Sequence, residues 1–167
     1  KEKILLIGSG RTDAGVHAVE QSAHFECKKE IQNLDKFLKS VNHFVNDMNV
    51  SIINIKKRNI NFHARFSAKQ RIYKYVIFNR LSKPSIEKRR GWHIIKKLDI
   101  NLMKKGAKQL LGTKDFSTFR SSSCSATSPI RTMKSIKIKS IKGRIEIEFT
   151  SQSFLQQQVR SMVGCLK

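Results

Sequence analysis

Apolar positions along the chain mark out short strands and a few amphipathic helices. Ile4, Leu5, Leu6 and Ile7 form an unbroken apolar run of strand type, after which Gly8-Ser9-Gly10 opens a loop. From Gln21 to Cys27 polarity alternates, with Ala23, Phe25 and Cys27 on one side, which predicts a strand antiparallel to the first. Leu34, Phe37, Leu38, Val41, Phe44 and Val45 follow the helical i, i+3, i+4, i+7 spacing, and Asn33 stands where an N-cap is needed. Val50 to Ile55 reads as a further strand, so the predicted order of the first third is β-β-α-β.

Arg71 to Phe78 is rich in β-formers and alternates in polarity over its first half. Asn79 ends that strand, and Arg80 to Arg90 is a basic connecting loop containing Pro84. Asp99 predicts the cap of a helix carrying Leu102, Met103, Ala107, Leu110 and Leu111, stopped by Gly112. Asp115-Phe116-Ser117-Thr118-Phe119-Arg120 leads into a serine-rich stretch ending at Ser128 and Pro129, expected to be a mobile loop. Ile130 to Ile141 and Arg144 to Thr150 make a hairpin around Lys142-Gly143. Leu155, Val159, Met162, Val163 and Leu166 give a last helical face, which reaches Lys167 without a C-cap. The pattern is α+β, with helices packed on antiparallel sheet. It divides near Asn61 into residues 1–61 and 62–167. Because the chain opens on a strand without Met and ends inside a helix, it is expected to be a fragment.

Charge changes this picture more than size does. The 167 residues, 39% of them apolar, suffice for one ordinary domain or two small ones. Thirty-four Lys and Arg against 12 Asp and Glu give a formal charge of +22, a field that favours a polyanionic partner, nucleic acid first. The bland alternative is a source whose proteins are lysine-rich throughout. A membrane-surface role is disfavoured, since no basic amphipathic helix with a broad apolar face stands out. Cys27, Cys124 and Cys165 are far apart and form no CxxC pair, which argues against a disulfide framework or zinc site and for a reducing compartment. His17, His24, His43, His63 and His93 have no metal-ligand spacing. No stretch approaches a membrane span and no signal peptide precedes Lys1, so a cytoplasmic location is expected.

Candidate chemistry concentrates in Gly10-Arg11-Thr12-Asp13-Ala14-Gly15-Val16-His17-Ala18, directly after the first strand. Its two glycines relax the backbone on either side of an acid, for tight turns or close approach of a ligand. Asp-Ala-Gly by itself reads as a turn. Phe62-His63-Ala64-Arg65-Phe66-Ser67-Ala68, with Arg71-Ile72-Tyr73-Lys74-Tyr75 behind it, is a second dense cluster of aromatic and basic residues.

The first string closely resembles the catalytic loop of the tRNA pseudouridine synthase A family. Three further stretches match in the same order and similar spacing: the Phe62 cluster with its strand, Leu110-Leu111-Gly112 with Asp115 to Arg120, and Phe154-Leu155 with Val159-Arg160-Ser161-Met162-Val163-Gly164. The resemblance spans nearly the whole chain. It implies two similar α+β halves of RRM or ferredoxin-like type, their antiparallel sheets joined into one extended sheet, with a basic active-site cleft between them. It implies that Asp13 is the nucleophile that breaks the base–sugar bond of a uridine in the anticodon stem-loop of tRNA. Tyr73 then matches the tyrosine that stacks on the base and takes up a proton, Arg160 the arginine paired with the acid, and Arg11 the one that assists extrusion of the base. Contacts to RNA are expected from Arg11, His17, His63, Arg65, Arg71 and Arg120. No metal or other cofactor is implied, and the full-length protein is expected to be a homodimer binding tRNA.

Each of these residues also has a plainer reading. Tyr73 on a strand is ordinarily core, and Arg160 on a helix is ordinarily a solvated charge. Tyr75 shares a face with Tyr73, and only the resemblance separates their roles. The chain departs from the family in lacking its Tyr-Asp-Gly and Gly-Trp-Gln segments and the end of the second half. It also carries Gln158 where the usual pattern has Met, which puts the packing behind Arg160 in doubt. A non-catalytic RNA-binding module fits the charge and sheet content equally well, though it requires none of Asp13, Tyr73 and Arg160. A pseudouridine synthase acting on other RNAs fits the motif.

Overall fold

The computed structural model describes residues 3–167. Contacts divide the chain into two units, one comprising residues 1–11 and 18–67, the other residues 12–17 and 68–167. The α+β class is as expected, but the strands fall into a two-stranded and a five-stranded sheet among the described residues. No helix there is long and apolar enough to cross a membrane.

In the first unit, β1 (Ile7–Gly8) pairs antiparallel with β2 (Ala23–His24). Both are much shorter than the predicted runs at Ile4 and Gln21, and Leu5 and Leu6 are largely exposed. Helix α1 spans Leu34–Val45 as predicted, with the Asn33 side chain accepting the Lys36 amide at 2.8 Å. The predicted strand over Val50–Ile55 is not formed. Instead the Asn42 side chain donates to the Ile52 carbonyl at 2.9 Å and accepts its amide at 2.7 Å. A side-chain amide here takes the place of a ladder neighbour, satisfying backbone groups that a strand would have paired.

The second unit holds the core. Its sheet runs β4-β3-β7-β6-β5, comprising β3 (Arg71–Phe78), β4 (Trp92–His93), β5 (Gly112–Asp115), β6 (Ile130–Ile141) and β7 (Arg144–Ser151). All pairs are antiparallel except β3 with β4, so this sheet is mixed rather than purely antiparallel. The edge strand β4 was not legible in the basic loop region. Gly91 lets the chain approach there, since a Cβ at that position would lie 2.7 Å from the Phe78 ring and 2.8 Å from the Val76 carbonyl. Asn79 then ties the chain beyond β4, bonding the Ile94, Lys96 and Leu98 backbone.

Strict alternation along β7 sends Ile145, Ile147, Phe149 and Ser151 inward. Lys142 and Gly143 both take positive φ, as a tight β6–β7 hairpin requires. Helices α2 (Ile100–Gln109) and α3 (Gln158–Leu166) contribute Met103, Ala107, Met162, Val163 and Leu166 to the same core. Asp99 caps α2 as predicted, accepting the Asn101 and Leu102 amides. Glu146 and Glu148 alternate with the inward residues of β7 and pair with Lys74, Arg144 and Lys137. The final helix starts at Gln158, later than the apolar spacing from Leu155 implied. Leu155 is buried in the turn before it.

Candidate active site

Asp13 opens a four-residue turn whose chemistry is visible in the sequence. The Val16 amide donates to the Asp13 carbonyl at 3.1 Å, and Gly15 occupies the left-handed position at φ +80°. Space around Gly15 is open, so the backbone angle alone selects glycine there. The turn reading of Asp-Ala-Gly is therefore correct, and it leaves the Asp13 side chain outside, 42% exposed.

Arg160, in the first turn of α3, places Nε 4.0 Å from Asp13 Oδ2 and is itself 54% exposed. An ion pair this open contributes about 0–1 kcal/mol, so its effect is orientation more than stability. The same guanidinium acts on Tyr75. Burial raises the Tyr75 phenol above its ordinary range, and the Arg160 charge pulls partly in the opposite direction.

Tyr73, Tyr75 and Ile77 lie along one face of β3, opposite Phe149, Ile147 and Ile145 of β7. Ile77 is fully buried, Tyr75 packs against the core from a half-buried position, and Tyr73 lies beyond it, where the core runs out. Phe154 meets the Tyr73 ring edge-on, with centroids 4.9 Å apart and planes at 84°. Phe154, Tyr75 and Gln158 are the residues near this site that the motif reading left without a role. Alternation with Tyr73 singles out Tyr75, whereas the fully buried Gln158 is marked only by replacing the family's Met.

The remaining candidates are distributed as follows. In the second unit Arg71 donates to the Gln152 carbonyl, His17 is exposed, and Arg120 closes a short 3-10 turn at Ser117–Phe119. In the first unit Arg11 is exposed. His63 Nδ1 accepts the Arg65 and Phe66 amides at 3.2 and 3.3 Å, a loop-fixing arrangement that requires that nitrogen unprotonated. Arg65 lies over the Phe66 ring at 5.6 Å. One concavity of about 360 Å³ lies between α2 and β6, and another lies on the charged outer face of the sheet. Neither includes Asp13, Tyr73 or Arg160.

Against known proteins, the chain is 80% identical over 167 residues to tRNA pseudouridine synthase A of Pelagibacter ubique (strain HTCC1062), spanning all of this chain and 68% of that protein. The chain belongs to the tRNA pseudouridine synthase A family. The enzyme of the same name from Wolbachia pipientis wMel is 42% identical over 165 residues, or 99% of this chain and 67% of the relative. That of Anaplasma phagocytophilum (strain HZ) is 39% identical over 98% of this chain and 66% of its own length. A family model described as tRNA pseudouridine synthase matches residues 107–167, the stretch that carries β6, β7, α3 and Arg160. The Asp13 turn and Tyr73 lie before that stretch, within the region that the relatives cover.

Proposed function

We propose that this protein isomerises uridine to pseudouridine in the anticodon stem-loop of tRNA. In this reading Asp13 is the nucleophile, Arg160 its cationic partner, and Tyr73 the residue facing the base. The observation that carries the reading is the approach of Arg160 to Asp13, made by residues far apart in sequence within one unit. Family membership and the +22 charge support tRNA as substrate.

The chemistry sets requirements that these side chains meet. A uridine in a stem must leave the stack before any side chain reaches it, and Arg11 is positioned in sequence to assist that step. The Asp13 carboxylate then displaces the uracil from the ribose, breaking the N–C glycosidic bond. The base turns and its C5 attacks the same ribose carbon, releasing the Asp13 carboxylate; the C5 proton then leaves, and the former glycosidic nitrogen ends protonated. An ionised nucleophile needs a nearby cation and little water. Arg160 supplies the first. With Asp13 42% exposed, the second must come from the bound RNA itself. Tyr73 offers a flat face held by Phe154 and a hydroxyl to take up the C5 proton. His17, His63, Arg65, Arg71 and Arg120 complete the RNA contacts, and the full-length protein acts as a cytoplasmic homodimer.

The test is incubation of the full-length protein with unmodified tRNA, followed by mapping of pseudouridine. Modification in the anticodon stem-loop is expected. Pseudouridine confined to other positions refutes the assigned target, and none at all refutes the activity.

A further inference from the structure

We infer that Phe66 is a stacking platform for an unpaired base of the bound tRNA. This rests on tRNA being the substrate, as proposed above, and adds a neutral ring to the RNA contacts expected from charged residues.

Phe66 stands at the end of a column of three rings in the first unit. His24, on β2, lies 4.8 Å from His63 between ring centroids, and His63 lies 4.3 Å from Phe66 with the two planes inclined at 34°. The two imidazoles are half-buried, whereas Phe66 is 74% exposed. The turn that carries Phe66 is closed on itself. The Ser67 amide donates to the His63 carbonyl at 2.8 Å, and the His63 amide donates to the Ser67 hydroxyl at 3.1 Å. The same imidazoles restrain it further. His24 Nδ1 accepts the amide of the buried Ala64 at 3.2 Å, and His63 Nδ1 accepts those of Arg65 and Phe66. A ring on a turn so restrained loses little freedom when a second plane settles on it.

A single exposed apolar side chain is ordinary on a protein surface. Phe66 differs in its support and in its neighbours. Its ring faces solvent while a half-buried imidazole backs it, so core packing does not account for it. The neighbourhood is also cationic: Arg65 lies over the Phe66 ring at 5.6 Å, and Arg58 lies over the ring of Phe62 at 5.6 Å. A flat apolar face beside guanidinium groups suits a nucleobase and its phosphate, the ring taking the base and the cations the backbone. Bases inside a stem have both faces covered by their neighbours. The base that meets Phe66 is therefore an unpaired one, in the anticodon loop.

The experiment measures binding of the full-length protein to an unmodified anticodon stem-loop and to an uninterrupted RNA duplex of equal phosphate number, across a range of salt. Phe66→Leu keeps apolar bulk and removes the aromatic face. It should weaken the stem-loop at least about fivefold and leave the duplex within about twofold. The salt dependence of both should stay as in the parent, because no charge is lost. 2-Aminopurine placed at each loop position in turn should be quenched at one of them on binding the parent, and Phe66→Leu should abolish that quenching. Phe66→Trp, which keeps an aromatic face, should bind the stem-loop as tightly as the parent and retain the quenching. Equal losses on stem-loop and duplex overturn the inference, as does unchanged stem-loop binding or a loss that merely follows the unfolded fraction. Should Phe66→Leu fail to accumulate folded, the reporter decides: no quenched position in either the parent or Phe66→Trp overturns the inference. A parent that binds neither RNA refutes tRNA as substrate and the inference with it. A parent that modifies the stem-loop, with Phe66→Leu binding it normally, refutes the inference alone.

Discussion

Replacing Tyr73 by Phe separates a catalytic phenol from a strand residue at the margin of the core. The ring stays on β3, opposite Phe149 and edge-on to Phe154. That aromatic contact, worth about 0.5–1.5 kcal/mol beyond its buried area, is therefore kept. No hydrogen bond of the Tyr73 hydroxyl occurs among the described residues, so its loss should change stability by less than about 0.5 kcal/mol. Removing a positioned proton acceptor lowers rate by roughly 10²–10⁴-fold, equivalent to about 2.7–5.4 kcal/mol of barrier. The two readings thus differ by several kilocalories in rate and almost nothing in folding. Single-turnover pseudouridine formation and thermal unfolding, measured on the parent and on Tyr73→Phe, read both quantities. Uridine deuterated at C5 adds a sharper probe: if departure of the C5 hydrogen becomes limiting, the variant should show a primary isotope effect. An unchanged rate in Tyr73→Phe, with no isotope effect, would return Tyr73 to the core.

Two other expectations follow from the charges around this sheet. In a Tyr73→Phe background Tyr75 is the only tyrosine, so its ionisation can be followed by phenolate absorbance. Arg160→Gln should push it further upward, because the Arg160 charge opposes the effect of burial, and no movement would remove Arg160 from the vicinity of Tyr75. For Glu146, burial raises the carboxyl but is outweighed by Lys74 and Arg144, leaving it below its ordinary value of 4.5. A depressed carboxyl stabilises the fold at pH values above 4.5, and that stability is lost as pH falls through its folded value. Glu146→Gln should therefore flatten the fall in melting temperature below pH 4.5, and an acid limb identical to the parent's would refute the pairing.

How much was legible in advance depended on whether the signal was local. Asn33 and Asp99 announced their helices because a cap is a contact between near neighbours. Lys142-Gly143 announced the hairpin because its positive φ values are a property of the turn itself. Val50 to Ile55 misled because its composition suits a strand, while its backbone partner is the Asn42 side chain across a loop. β4 was hidden because two residues carry no periodicity, and the parallel neighbour that defines them lies well upstream. At the site, Asp13 was conspicuous as an acid framed by glycines. Arg160 and Tyr73 had no local mark beyond the family resemblance, since each type is ordinary on a helix or a strand. Gln158 was marked only by standing where the family has Met, because the last of three glutamines looks like surface until α3 is seen to turn it inward.

The central claim is that Asp13 performs the displacement at the ribose, and Asp13→Asn tests it most directly. The substitution keeps the shape of the turn side chain and removes the charge that attacks. It also leaves the Lys and Arg contacts to phosphate in place, so tRNA affinity should stay within a few-fold of the parent at the same salt concentration. The measurement is pseudouridine yield at saturating enzyme, alongside binding of the same tRNA. The account predicts normal binding with no detectable pseudouridine. Substantial turnover by the Asn variant would contradict it.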